Sequence, residues 1–131
     1  MINNLWKKLS RSKNADSQKE NRWKSIGSLS HLQELIQHSV QQQILIFKHS
    51  TRCPVSSRTY NQIEASTDVL NKSNIDIYYV DVIAERQLSN DIARVLDITH
   101  QSPQAFFIKN SEVAWHASHG QISKESLGKL T

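Results

Sequence analysis

The sequence predicts an α/β domain: a central four-stranded mixed sheet flanked by helices, with an N-terminal extension. Three observations predict it. Apolar residues switch between helical spacing and short strand-like runs in the order α-β-α-β-α-β-β-α. The run IDIYYVDV (75–82) is apolar at nearly every position, as expected of a strand covered on both faces. The last two runs, QAFFIK (104–109) and EVAWHAS (112–118), are separated only by Asn110-Ser111, which is hairpin length. A βαβ half with parallel strands thus precedes a ββα half.

The elements follow in chain order. Ile2, Leu5, Trp6 and Leu9 fall at helical spacing, with Lys7, Lys8 and Arg11 around the other side. That pattern fits a small amphipathic helix on a membrane surface or a partner, but a frayed turn with Trp6 on the protein's own surface is the plainer reading. Residues 11–22, RSKNADSQKENR, have no apolar periodicity and read as a solvated linker. The chain therefore divides into a basic arm and linker over 1–22 and a folded domain over 23–131. Ser30 and Gln33 fit a capping box, followed by a helical stripe of Leu32, Leu35, Ile36 and Val40. QILIFK (43–48) is a buried strand. A helix opens near Cys53 or Pro54 and turns Tyr60, Ile63 and Leu70 to the core; its many serines and threonines make it depend on packing. Leu88, Ile92, Val95 and Leu96 define a helix of about three turns. In the final hairpin Trp115 faces the core, Gly120 serves a turn, and a last helix starts near Ile122.

Composition narrows the function. At 131 residues with 37% hydrophobic content, the chain suits one domain with its own core. The net charge of +4 is concentrated at the start, where residues 1–24 hold seven Lys/Arg against Asp16 and Glu20. The remainder has nine basic and ten acidic residues, so no folded nucleic-acid-binding face is expected. One cysteine excludes an internal disulfide framework and fits a reducing cytosol. The opening MINNLWKKLS lacks an apolar stretch, no run is long enough for a membrane span, and Ile2 stands where myristoylation needs glycine. The expectation is a soluble, cytoplasmic protein.

The single cysteine lies in FKHSTRCPVSSR (47–58), where a strand runs into a helix. Pro54 suits the first helical position, since its missing N–H removes nothing the helix needs and its φ is already helical. Cys53 is then the N-cap, its sulfur facing unpaired N–H groups and the positive end of the helix dipole. Such a site favours thiolate. Arg52, with Lys48 or Arg58, adds positive potential, and Ser50 and Thr51 add polar surroundings. The bland alternative is a small buried hydrophobe; the polar neighbours, the proline and the βα junction argue against it. The other proline, in Ser102-Pro103, precedes the QAFFIK strand. A cis bond there would expose the Ser102 backbone to an extended substrate.

The Cys-Pro helix start, the βαβ-ββα order and the proline before the third strand resemble the thioredoxin fold. More narrowly, HSTRCPVS and HQSPQAF resemble the monothiol bacilliredoxins, over a span from about Trp23 to the C-terminus. The resemblance implies that Cys53 attacks the mixed disulfide between bacillithiol and a client protein. It takes bacillithiol onto itself, and a second thiol, free bacillithiol or a partner redoxin, then regenerates it. Bacillithiol is thus a co-substrate, with no tightly bound cofactor. Pro103 is the implied cis-proline facing Cys53, and Ser102 offers backbone hydrogen bonds. Pro54, Ser56, Arg52 and Thr51 stabilise the thiolate; His100, Ser118 and His119 join Ser102 and Pro103 as substrate contacts. Ser56 stands where dithiol thioredoxins carry a second cysteine, and Phe47 where they carry a buried carboxylate. Both departures favour monothiol exchange. His49 and His100 flank the two motifs as cleft-lining or ordinary loop residues. A metal shared by Cys53, His116 and His119 is not expected, because positions 116 and 119 point to opposite faces along a strand. Two other readings stay open: a thioredoxin-like binding module without turnover, and a single-cysteine redox sensor.

Overall fold

The structure is a computed structural model that describes residues 23–131. The amphipathic pattern of Ile2, Leu5, Trp6 and Leu9, and the arm and linker assigned to 1–22, lie outside the described residues. A five-stranded sheet has the order β1-β3-β2-β4-β5, formed by Trp23–Ser25, Gln43–His49, Ile75–Asp81, Gln104–Lys109 and Glu112–Ser118. β1, β3 and β2 run parallel, while β4 and β5 are antiparallel to their neighbours. The α/β class and the parallel-then-antiparallel order are as the sequence predicts. The sheet has five strands rather than four, because the short β1 adds to the β3 edge.

Strand alternation sorts the core into two layers. Leu45, Phe47, Ile75, Ile77, Ala105 and Phe107 pack beneath α2 (Pro54–Lys72) and α4 (Lys124–Gly128). Ile44, Ile46, Tyr78, Val80, Phe106 and Ile108 pack beneath α1 (Leu29–His38) and α3 (Arg86–Leu96). β1 is three residues long, too short to show a period, and it holds through its aromatic residue. Trp23 rings lie 4.8 Å from Tyr60 and 5.9 Å from Tyr79, and its Nε1 donates to Thr67 Oγ1 at 3.0 Å.

The hydroxyl-rich α2 keeps its packing face by folding hydroxyls back on the helix. Thr59, Ser66 and Thr67 donate to the carbonyls of Val55, Gln62 and Ile63, and all three residues are buried. Other boundaries shift from the sequence reading. α1 is capped by Ser28, whose hydroxyl accepts from the His31 N–H, so Ser30 lies within the helix. Val40 falls past its end and is exposed. The Asn110-Ser111 turn is present, with φ of 54° and 65°, the left-handed pair that matches strand twist in a two-residue hairpin. A 3-10 turn over His119–Gln121 precedes α4, and the left-handed residue there is His119, not Gly120. No helix among the described residues is long and apolar enough to cross a membrane.

Candidate active site

Cys53 caps α2 in extended conformation, with Pro54 at the first helical position. The turn from β2 is closed by the Cys53 N–H donating to the Ser50 carbonyl at 3.2 Å. The Cys53 carbonyl accepts from Ser56 N–H at 3.0 Å, the first helical hydrogen bond. The thiol is half-buried and free, and it makes no side-chain cap bond of standard geometry. The first-turn polar groups nevertheless hold it below the ordinary thiol value. The Ser56 N–H acts most strongly; partial desolvation opposes it, and the Val55 N–H and Ser56 hydroxyl add to the lowering. This is the electrostatics of an open helix N-terminus acting on a sulfur.

Ser56 is fully buried, and its Oγ accepts from the Ser50 N–H at 3.3 Å. The hydroxyl proton therefore remains for the sulfur. A Ser56→Ala variant is expected to raise the thiol pKa and slow iodoacetamide alkylation of Cys53 at neutral pH by about two- to tenfold, the worth of one hydrogen bond. A rate equal to wild type would remove Ser56 from the site. Thr51 and Arg52 lie exposed in the turn, where Arg52 N–H donates to Ser50 Oγ at 3.4 Å. Lys48, by contrast, is fully buried and reaches Ser89 and His100, so it is not among the exposed charges around the sulfur.

His49, two residues before Thr51, is buried among the rings of Tyr60, Phe47 and Tyr79 at 5.3, 5.6 and 5.7 Å. Its Nδ1 has no hydrogen-bond partner. Burial pushes its pKa down, against the smaller pulls of Asp81 and the Ser56 backbone, so it is a neutral ring at pH 7. Phe47 occupies the same sheet face and belongs to the core beneath α2.

The Ser102–Pro103 peptide bond is cis, Pro103 is buried, and Ser102 Oγ is buried without a partner. Two features brace this loop. Gln104 accepts from the Gln101 N–H at 3.1 Å and donates to the Thr99 carbonyl at 3.0 Å. The His119 N–H donates to the Pro103 carbonyl at 3.1 Å, which brings the 119–121 turn against the loop. Ser118 caps that turn, with its N–H donating to Gln121 Oε1 at 3.4 Å. Beside the loop opens a polar cleft of about 550 Å³ lined by Gln101, Gln104, His116, Ser118 and Gln121. Ser102, Pro103, Ser118 and His119 are thus brought together. His100 Nδ1 turns inward to Lys48, and His116 is exposed on the edge strand β5 while His119 has left it. Sequence reasoning missed Gln104 and the burial of Lys48. The signal for the second was present, since the lysine directly continues the unbroken apolar run 44–47 of a central strand.

Residues 24–127 match the family described as "Monothiol bacilliredoxin BrxC". Among solved structures, the chain is similar to one described as a candidate oxidoreductase with a thioredoxin fold, at 32% identity and a TM-score of 0.71; the match covers 85% of this chain and 95% of that one. The thioredoxins of Malassezia sympodialis and Fasciola hepatica match at 18% and 17% identity, each with a TM-score of 0.63. They cover 82% of this chain and 86% and 94% of their own, a likeness of fold.

Proposed function

Because the chain belongs to the monothiol bacilliredoxin family, and is a thiol–disulfide oxidoreductase of thioredoxin fold, we propose that it removes bacillithiol from protein mixed disulfides. One observation carries this reading. A single accessible thiol caps a helix that lowers its pKa, and a serine stands where a resolving cysteine would be. Such a sulfur can start an exchange and cannot finish it alone.

The Cys53 thiolate attacks the bacillithiol sulfur of the mixed disulfide. A Cys53–bacillithiol disulfide forms, the client S–S bond breaks, and the client leaves as a thiolate that takes a proton from water. Free bacillithiol then attacks the new disulfide, releasing Cys53 thiolate and bacillithiol disulfide; a partner redoxin can serve instead. Each step exchanges one S–S bond for another, so electrons balance without a bound cofactor. Ser102 presents its backbone to the extended client beside Pro103. Ser118 and His119 contact the small thiol, while Arg52 and Thr51 border the sulfur. The activity belongs to a soluble cytoplasmic protein, where thiols are kept reduced.

The test is release of a client thiol from its mixed disulfides with bacillithiol, glutathione and coenzyme A, assayed in parallel with the matching free thiol as resolver. Catalytic turnover with bacillithiol ahead of the other two is expected. Equal rates with all three would overturn the assignment to bacillithiol. One-time labelling of Cys53 without turnover would overturn the enzyme reading and leave a redox sensor.

A further inference from the structure

We propose that Lys48 is a positioning residue that fixes the Thr99–Pro103 loop relative to Cys53; this rests on the reading of that loop as the client-binding edge. Lys48 is fully buried in the central strand β2, in register with Val80 on one side and Gln104 on the other. Alternation turns its side chain away from Phe47 and α2, toward α3. There Nζ donates to the Ser89 carbonyl at 2.9 Å, meets His100 Nδ1 at 3.1 Å, and lies 5.6 Å from the Phe106 ring centre.

This arrangement does not favour the fold. The salt bridges of the described residues join Lys24 to Asp76 and Arg94 to Asp91, and none reaches Lys48. Burial pushes its ammonium down to about 8. An apolar side chain of similar volume at a buried charged position is often neutral or stabilising. The lysine therefore contributes something other than stability.

What it contributes is a tie among three elements. Lys48 joins β2 to α3 at Ser89 and to the loop at His100, two residues before Ser102. Its register partner Gln104 holds the same loop at Thr99 and Gln101, and the His119 N–H holds it at Pro103. Of these braces, Lys48 is the one that comes from the strand leading to Cys53. Its side chain adds a tie between the two halves of the site to the backbone pairing of Lys48 with Gln104. An ammonium only donates, so His100 Nδ1 must accept and the imidazole proton sits on Nε2. His100 is exposed overall, and partial desolvation of its ring lowers its pKa first, with the charges of Lys48 and Arg86 lowering it further, so the imidazole is neutral at pH 7.

The experiment compares full-length wild type with Lys48→Met. The variant should unfold at the same temperature as wild type or higher, and Cys53 should alkylate at the same rate. KM for a bacillithiolated client should rise about tenfold with kcat nearly unchanged, the signature of client binding lost at a displaced loop while the thiol's own chemistry is kept. Amide exchange at Gln101 and His119 should speed up. An unchanged KM in folded protein would overturn the proposal, and so would alkylation slowed in parallel. A variant that does not fold would also overturn it, since the lysine would then serve the core. A measurement on wild type needs no variant: ring nitrogen shifts should show His100 as the Nε2–H tautomer, and the Nδ1–H form would sink the tie. If wild type releases bacillithiol from no client, the functional reading fails by itself, while amide exchange and the tautomer still decide whether Lys48 places the loop.

Discussion

Cys53→Ser will release bacillithiol from clients no faster than buffer alone, while unfolding at or slightly above the wild-type temperature. The two halves of this result have separate causes. A hydroxyl cannot form the mixed disulfide on which the exchange depends, so the loss is complete rather than partial. Serine, however, is a better N-cap than a cysteine that makes no cap bond, and replacing a poor cap with serine is worth about 0.5–2 kcal/mol. The half-buried sulfur leaves no core cavity behind. Release assays and thermal unfolding on the same preparation check both. Residual turnover in the variant would mean that the chemistry lies elsewhere, while a lower unfolding temperature would mean that the sulfur is part of the packing.

The second large effect is on stability. Phe47 is fully buried beneath α2, with ring centres 5.6 Å from His49 and 6.1 Å from both Trp23 and Tyr79. Phe47→Ala is expected to cost about 3–5 kcal/mol through lost burial and the cavity left behind. In a domain of this size that corresponds to a fall of roughly 12–30 °C in Tm. The variant should also loosen β1, whose Trp23 leans on the same ring. Calorimetry or chemical denaturation measures the loss; a cost under about 1 kcal/mol would show a core able to collapse around the gap. The position thus serves as a packing centre, where dithiol relatives are expected to keep a proton-transfer group.

Much of this was legible in the residues. QAFFIK and EVAWHAS became β4 and β5 with the same bounds, because the two-residue Asn110-Ser111 turn marks both strand ends in the sequence; the register shift between Phe107 and Ile108 left no such mark. The helix opening at Pro54 was legible because proline and an N-cap position leave local marks. β1 was not, since three residues cannot show a period and Trp23 pairs with residues more than thirty positions away in sequence. Lys48 was misread for a similar reason. Its neighbours in sequence suggested a charge near the sulfur, but strand alternation sends it through the sheet to Ser89, whose position depends on where α3 docks. The braces on the Ser102 loop, from Gln104 and His119, likewise join segments that only tertiary structure brings together.

The parallel pairing of β1 with β3 has one more consequence. β1 runs in the same direction as β2, and Cys53 follows the carboxyl end of β2, so the polypeptide enters the sheet from the pole remote from the sulfur. Attaching a label or immobilising tag ahead of Trp23 should for that reason leave exchange kinetics untouched.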